Sequence, residues 1–195
     1  MTTASTPKGE RRRHALIEAA VALMVEGGFD AVRHRAVAER AGLPLASTTY
    51  YFDSLDELIT SALEFHGRAE LARGRAALDE LTTQDADPDH LLDLVIDLLL
   101  GPRTNGADDA EMVLLRYERL IATGRRPYLR ELTLDLGQEL RGLLTEAFTR
   151  CQTPITPARL EQLIALVDGA VVNALIEVNP DPRGRARHML QDFLD

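Results

Sequence analysis

Residues 32–52, VRHRAVAERAGLPLASTTYYF, restrict what the chain can fold into more than any other stretch. Over residues 33–41, Ala36, Val37 and Ala41 share one face at helical spacing, and Arg33, Arg35, Glu39 and Arg40 point outward. Gly42 ends that helix, because a residue without Cβ enters the left-handed turn at no steric cost. Pro44 opens the next one, since its missing N–H would have been unused in a first helical turn. Residues 45–51 are too short and polar for a core helix, yet they carry Ser47, Thr48, Thr49, Tyr50 and Tyr51. A helix, a tight glycine turn and a short hydroxyl-rich helix make a helix-turn-helix, whose second helix is sized for a DNA major groove.

Charge bears directly on that reading. The 195 residues sum to -9, which by itself argues against nucleic acid. Residues 1–52, however, hold Lys8, Arg11, Arg12, Arg13, Arg33, Arg35 and Arg40 against Glu10, Glu18, Glu26, Asp30 and Glu39, a balance of +2 that leaves -11 for the rest. An acidic body on a locally basic head is expected when only the head meets phosphate.

The remaining pattern is helical throughout. Residues 1–9 are polar and without periodicity, so a flexible N-terminal arm is expected there, with a helix-turn-helix domain over 10–53 and a helical domain over 54–195. The first helix opens at Arg11, Arg12 and Arg13, carries Leu16, Ala19, Ala20, Leu23 and Met24 on one stripe, and ends at Gly27 and Gly28. Basic residues are unfavourable at a helix N-terminus, which favours a phosphate-facing role for one or two of those arginines. Phe29 anchors the turn, and Phe52 points inward while at least one of Tyr50 and Tyr51 points out.

Ser54 and Glu57 form a capping box for a helix running through Leu58, Ile59, Ala62, Leu63 and Phe65 toward Leu81, with a bend at Gly67 or Gly74. It is the one element expected to join head and body. Asp87-Pro88 opens a helix that Gly101-Pro102 stops, and residues 103–109 read as a loop. A helix over 111–123, ended by Gly124, turns Met112, Leu115, Leu120 and Ile121 inward; a long amphipathic one follows over 128–151. Thr156-Pro157 and Asp181-Pro182 open the last two. No alternating strand pattern occurs, so the fold expected is all-α.

The helix over 158–178 is apolar around most of its circumference, with small Gly169, Ala170 and Ala174 permitting close approach. It must be covered on nearly all sides, either inside a monomer or, with the helix over 128–151, across a two-fold four-helix interface of a homodimer. No run approaches the roughly 18 uncharged apolar residues of a membrane helix, and no secretory signal is visible, so a cytoplasmic protein without membrane association is expected. The lone Cys151 reads as a packing residue. The histidines are scattered, with no H-E-x-x-H, cysteine cluster or glycine-rich phosphate loop, so neither catalysis, metal nor cofactor is expected.

Ala38, Glu39, Arg40, Ala41, Gly42 and Leu43, then Tyr50, Tyr51 and Phe52, then Ser54, Asp56, Glu57 and Leu58 together resemble the DNA-binding signature of TetR-type (tetracycline-repressor-like) transcriptional regulators. Pro44, Ala46, Thr49 and Leu55 depart from the family's usual Ser, Gly, Tyr and Lys, which bears on phosphate contacts more than on fold. The resemblance implies an N-terminal three-helix helix-turn-helix domain, a C-terminal ligand-binding and dimerisation domain, and a repressor released from a palindromic double-stranded DNA operator by a small-molecule effector. It places Arg33, His34, Arg35, Leu45, Ser47, Thr48, Thr49, Tyr50 and Tyr51 at DNA. It also implies an effector site between the helices that begin near 54, 89 and 111, where His66, Arg116, Tyr117 and Asn173 are polar candidates, each as readily structural or superficial. Repressor versus activator, and loss of operator reading to leave a ligand-independent DNA-associated or interaction protein, stay open.

Overall fold

The computed structural model describes residues 6–81, 88–103, 107–179 and 181–194, and among these every regular element is helical, as the sequence pattern requires. In order they are α1 (Pro7–Ala31), α2 (His34–Arg40), α3 (Ala46–Tyr51), α4 (Leu55–Glu80), α5 (Pro88–Leu100), α6 (Ala107–Arg125), a 3-10 turn at Pro127–Leu129, α7 (Arg130–Arg150), α8 (Pro157–Ile176) and α9 (Pro182–Leu194).

Helix α1 begins before the basic triplet. The Thr6 hydroxyl accepts from the Gly9 N–H at 3.2 Å and Pro7 takes the first helical position. Residues 6–9, expected in a mobile arm, are therefore the cap and first turn of α1, whereas residues 1–5 lie outside the described residues. At Gly27 and Gly28 the backbone leaves helical dihedrals, with Gly28 at φ 67°, so the helix that carries the apolar stripe ends there as expected, and a short second helical stretch runs on to Ala31.

Between α2 and α3, Gly42 sits at φ 64°, with the Leu43 N–H donating to Ala38 O at 2.9 Å and the Gly42 N–H to Glu39 O at 3.1 Å. This is a Schellman turn, and it needs a left-handed residue at that point. Helix α3 starts two residues later than the proline suggested. Pro44 O and Leu45 O accept from Ser47 and Thr48 N–H in tight i to i+3 steps, so Pro44 precedes the helix.

Helix α4 is capped by Ser54, whose hydroxyl accepts from Glu57 N–H at 3.1 Å; Glu57 reaches back to the N–H of Asp53 at 2.6 Å. It runs without a break in its helical dihedrals through Gly67 and Gly74. These glycines serve contact: a Cβ on Gly67 would lie 2.5 Å from Leu136 Cδ1 of α7, and one on Gly74 2.6 Å from Leu98 Cδ2 of α5. The small residues there are used for close helix approach.

Two apolar cores follow. One joins Leu16, Ala20, Met24, Phe29, Val32, Val37 and Phe52 to Leu58, Ile59, Ala62 and Leu63 of α4, and takes in Ala122 and Leu129 from the body. The other gathers α5, the second half of α7, α8 and α9 around Leu78, Val113 and Tyr117. Helix α6 starts at Ala107, within the stretch read as a loop, and runs past Gly124 to Arg125. It buries Val113, Tyr117 and Ala122, while Leu120 and Ile121 are exposed. Its apolar residues lie on more than one face, so periodicity alone chose the wrong one; the Leu115 side chain and Asp87 lie outside the described residues.

Helix α8 buries Leu160, Leu163, Val167, Ala170, Val171 and Ala174 but leaves Val172 and Ile176 exposed, with Val178 just beyond its end exposed too. The chain by itself does not cover it all round. No helix among the described residues is long and apolar enough to cross a membrane.

Candidate nucleic-acid interface and internal cavity

In the head, α3 turns Ala46, Thr49 and Tyr50 to the surface. Phe52 is buried beneath it, and Tyr51 is half-buried against the same core. Tyr50 is 80% exposed and meets Tyr51 edge to face, with ring centroids 4.9 Å apart. This contact holds the Tyr50 ring upright on the surface. Leu45 and Thr49 are exposed on the same side, Ser47 is half-buried, and the Thr49 hydroxyl donates to Ala46 O at 3.3 Å.

Thr48 does not join this surface. Its side chain is fully buried and its hydroxyl donates to Leu45 O at 2.8 Å, so it fixes the first turn of α3 and is removed from the candidate DNA contacts. Sequence order could not separate it from Ser47 and Thr49; only the rotation of α3 on the core does.

On α2, Arg35 is exposed, and Arg33, at the N-cap, is exposed with its Nε–H donating to Asp30 O at 3.2 Å. His34 is half-buried, and its Nδ1 has no hydrogen-bond partner among the described residues. Arg40 instead pairs with Glu26 of α1, whose carboxyl is held below the usual range by that hydrogen bond. Of the basic triplet, Arg13 packs over the Phe52 ring at 5.0 Å and donates to Ser61 at 3.3 Å, tying α1 to α4. Arg11 bonds Pro7 O at 3.2 Å, and Arg12 is exposed.

In the body, a cavity of about 170 Å³ lies between α4, α5, α6 and α7. Leu71, Leu94, Leu98, Leu136, Leu140 and Leu143 form most of its wall, and Glu70, Arg73, Asp97, Arg116 and Thr133 bring polar groups to it. Of the four polar candidates only Arg116 lines it. His66 lies one turn from Glu70, 3.5 Å from its carboxylate. Tyr117 points the other way and donates to Asp168 of α8 at 3.0 Å; burial, then Asp168, pushes its phenol well above the usual tyrosine range. Asn173 is exposed on α8. Sequence reasoning missed the polar liners Glu70 and Arg73 of α4, Asp97 of α5 and Thr133 of α7, and it missed the α7 wall altogether, because the apolar residues of α7 continue the stripe of the core.

Head and body touch at a second place besides α4. The Arg126 guanidinium covers the Phe29 ring at 4.9 Å, and Ala122 and Leu129 enter the head core. Helix α6 thus runs from the cavity, at Arg116 and Leu120, to the head, a connection that no local pattern announced.

Comparison with known proteins agrees with this architecture. Residues 16–62 match the family "Bacterial regulatory proteins, tetR family" and residues 86–195 match "Tetracyclin repressor-like, C-terminal domain". The HTH-type transcriptional repressor KstR of Mycolicibacterium smegmatis is 42% identical over 69 residues, 34% of this chain and 33% of its own length. The chain therefore aligns with only about a third of that relative. Among solved structures, the multidrug binding protein EbrR complexed with proflavin is 31% identical at a TM-score of 0.67, over 93% of this chain and 99% of EbrR, and EbrR is also solved with ethidium. The protein SCO7518 from Streptomyces coelicolor A3(2) is 25% identical at a TM-score of 0.68, over 94% of this chain and 98% of its own. With a helix-turn-helix head, a helical body around a cavity, and both family matches in register with them, this chain belongs to the TetR family of bacterial regulatory proteins.

Proposed function

We propose that the chain is a cytoplasmic transcriptional repressor, a homodimer that binds a palindromic operator through α2 and α3 and releases it when a small molecule enters the cavity. The observation that carries this is the presentation of α3. Leu45, Thr49 and Tyr50 stand out from a helix whose underside is locked by Thr48 and Phe52, and exposed Arg35 lies on the neighbouring helix. Hydroxyls and guanidinium groups supply phosphate bonds, while Leu45 and Thr49 offer apolar and hydroxyl contacts to base edges. The sequence match to KstR repressors supports DNA binding, and EbrR's complexes with proflavin and ethidium support a body that receives small molecules.

The partly uncovered apolar face of α8, with Leu134 of α7 exposed as well, supports pairing of two copies through α7 and α8. Pairing sets the separation of the two recognition helices, which must be about 34 to 36 Å or a multiple for successive major grooves. Because the cavity touches both α4 and α6, each of which reaches the head, occupancy favouring one arrangement changes that separation.

Selection of bound fragments from random duplex DNA tests the function. An enriched inverted repeat is the expected outcome; absence of any enriched sequence, with salt-sensitive binding intact, would mean that operator reading has been lost.

A further inference from the structure

We propose that α3 reads the operator through the C5-methyl groups of thymines, which Leu45, Ala46 and Thr49 meet, and not through hydrogen bonds to guanine. This rests on reading α3 as the helix that enters the major groove, and it adds the base feature recognised there.

The side chains available come first. Residues 44–51, PLASTTYY, include no Arg, Lys, Asn, Gln, Asp or Glu. Those are the side chains that identify a base by its polar edge: Arg or Lys on guanine, Asn or Gln on adenine, a carboxylate on the cytosine amino group. A lone hydroxyl bonds donors and acceptors alike, so the Ser, Thr and Tyr of this stretch add bonds with little discrimination. Polar readout by α3 is therefore weak by composition.

The structure narrows the hydroxyls further. Thr48 is buried on Leu45 O, and Ser47 is half-buried. The exposed Thr49 hydroxyl gives its one hydrogen to Ala46 O at 3.3 Å, so what Thr49 has left to offer is a methyl group and an acceptor. Leu45 is 52% exposed, and Ala46 is exposed beside it. Residues four apart adjoin on a helix, so Leu45 with Thr49 and Ala46 with the Tyr50 ring form two neighbouring carbon-rich rows. Among the four bases only thymine presents a methyl in the major groove, and apolar side chains are its partners. Arg35 stands on α2, outside this surface, and guanine recognition by it is the competing outcome.

The half-site selected from random duplex DNA is synthesised with single base replacements, and the full chain is titrated against each duplex by fluorescence anisotropy. Uracil in place of thymine removes the methyl and keeps every hydrogen-bonding atom; 7-deazaguanine in place of guanine removes the N7 acceptor. Uracil is expected to weaken binding about fourfold at each thymine under α3, the worth of one buried methyl, and 7-deazaguanine is expected to cost less than that. Leu45→Ala and Thr49→Ser, both at exposed positions, are expected to bring the thymine-to-uracil ratio close to one, each at its own thymine. Thr49→Ser keeps the hydroxyl, so a ratio lost with it follows the methyl. Equal affinity for thymine and uracil at every position of the half-site would overturn the proposal. So would a larger loss with 7-deazaguanine that vanishes in Arg35→Ala. Selection that enriches no inverted repeat would instead remove operator reading itself, and this proposal with it.

Discussion

Adjacent side chains on α3 have opposite destinies, and this is where residue chemistry is most exposed to test. Thr48 and Thr49 carry the same hydroxyl, one buried on Leu45 O and the other facing out. Thr48→Val keeps the shape and removes one internal bond, so it should cost up to about 1 kcal/mol in urea unfolding, with DNA affinity following only the fraction folded. Tyr50→Ala removes an exposed ring, so its stability should change little while operator affinity falls. Arg35→Ala should weaken specific and non-specific DNA alike and flatten the logarithmic salt slope by about one unit in fluorescence anisotropy. An unchanged slope would take Arg35 out of the phosphate contacts. His34, Arg33 and Ser47 are only partly disposed to the surface or engaged with backbone, and the same titration ranks them.

At the scale of elements, α4 and α7 are the pair on which the cavity depends. Gly67→Ala should gain up to about 1 kcal/mol of helix propensity and lose part of it by pushing the tip of Leu136 aside. Since Leu136 lines the cavity, ligand affinity in calorimetry should fall although the thermal midpoint barely moves. The same two helices are clamped by Arg75 and Arg150, both hydrogen-bonded to Glu146. Arg75, then Arg150, holds the Glu146 carboxyl below its ordinary 4.5. A carboxyl with a lower pKa folded than unfolded contributes fully above about pH 4.5 and loses that contribution as pH falls through its folded value. Stability to urea should therefore drop as pH falls below about 4.5, and less steeply in Glu146→Gln. The acid response is shared with Glu26 beside Arg40 and Glu161 beside Arg141, so one substitution should blunt it without abolishing it.

For the molecule as a whole, the uncovered face of α8 is the feature that the single chain does not explain. Ile176 is 74% exposed, and Val178, at φ 54°, holds a β-branched side chain in a left-handed turn and is exposed as well. Ile176→Asp touches no internal contact that the fold needs. Its expected effect is a halved sedimentation mass and lost affinity for a two-half-site operator, with the helical spectrum intact. A wild-type chain already monomeric at working concentration would contradict the paired arrangement. Within one copy, Arg183 shows how far the body is integrated: a guanidinium 1% exposed donates to Leu100 O at 3.1 Å and Pro102 O at 3.4 Å, so α9 caps the end of α5 at the cavity rim.

The amino-acid order by itself determined the helical class, the Gly42 turn, the Ser54 and Thr156 caps and the family, because each rests on residues within a few positions of one another. Which face of α6 turns inward, that Thr48 hides while Thr49 shows, that α7 walls the cavity, and that Arg126 reaches Phe29 were decided by the tertiary structure. In each of these, side chains far apart in the chain compete for one buried volume, and a local pattern holds no record of which wins.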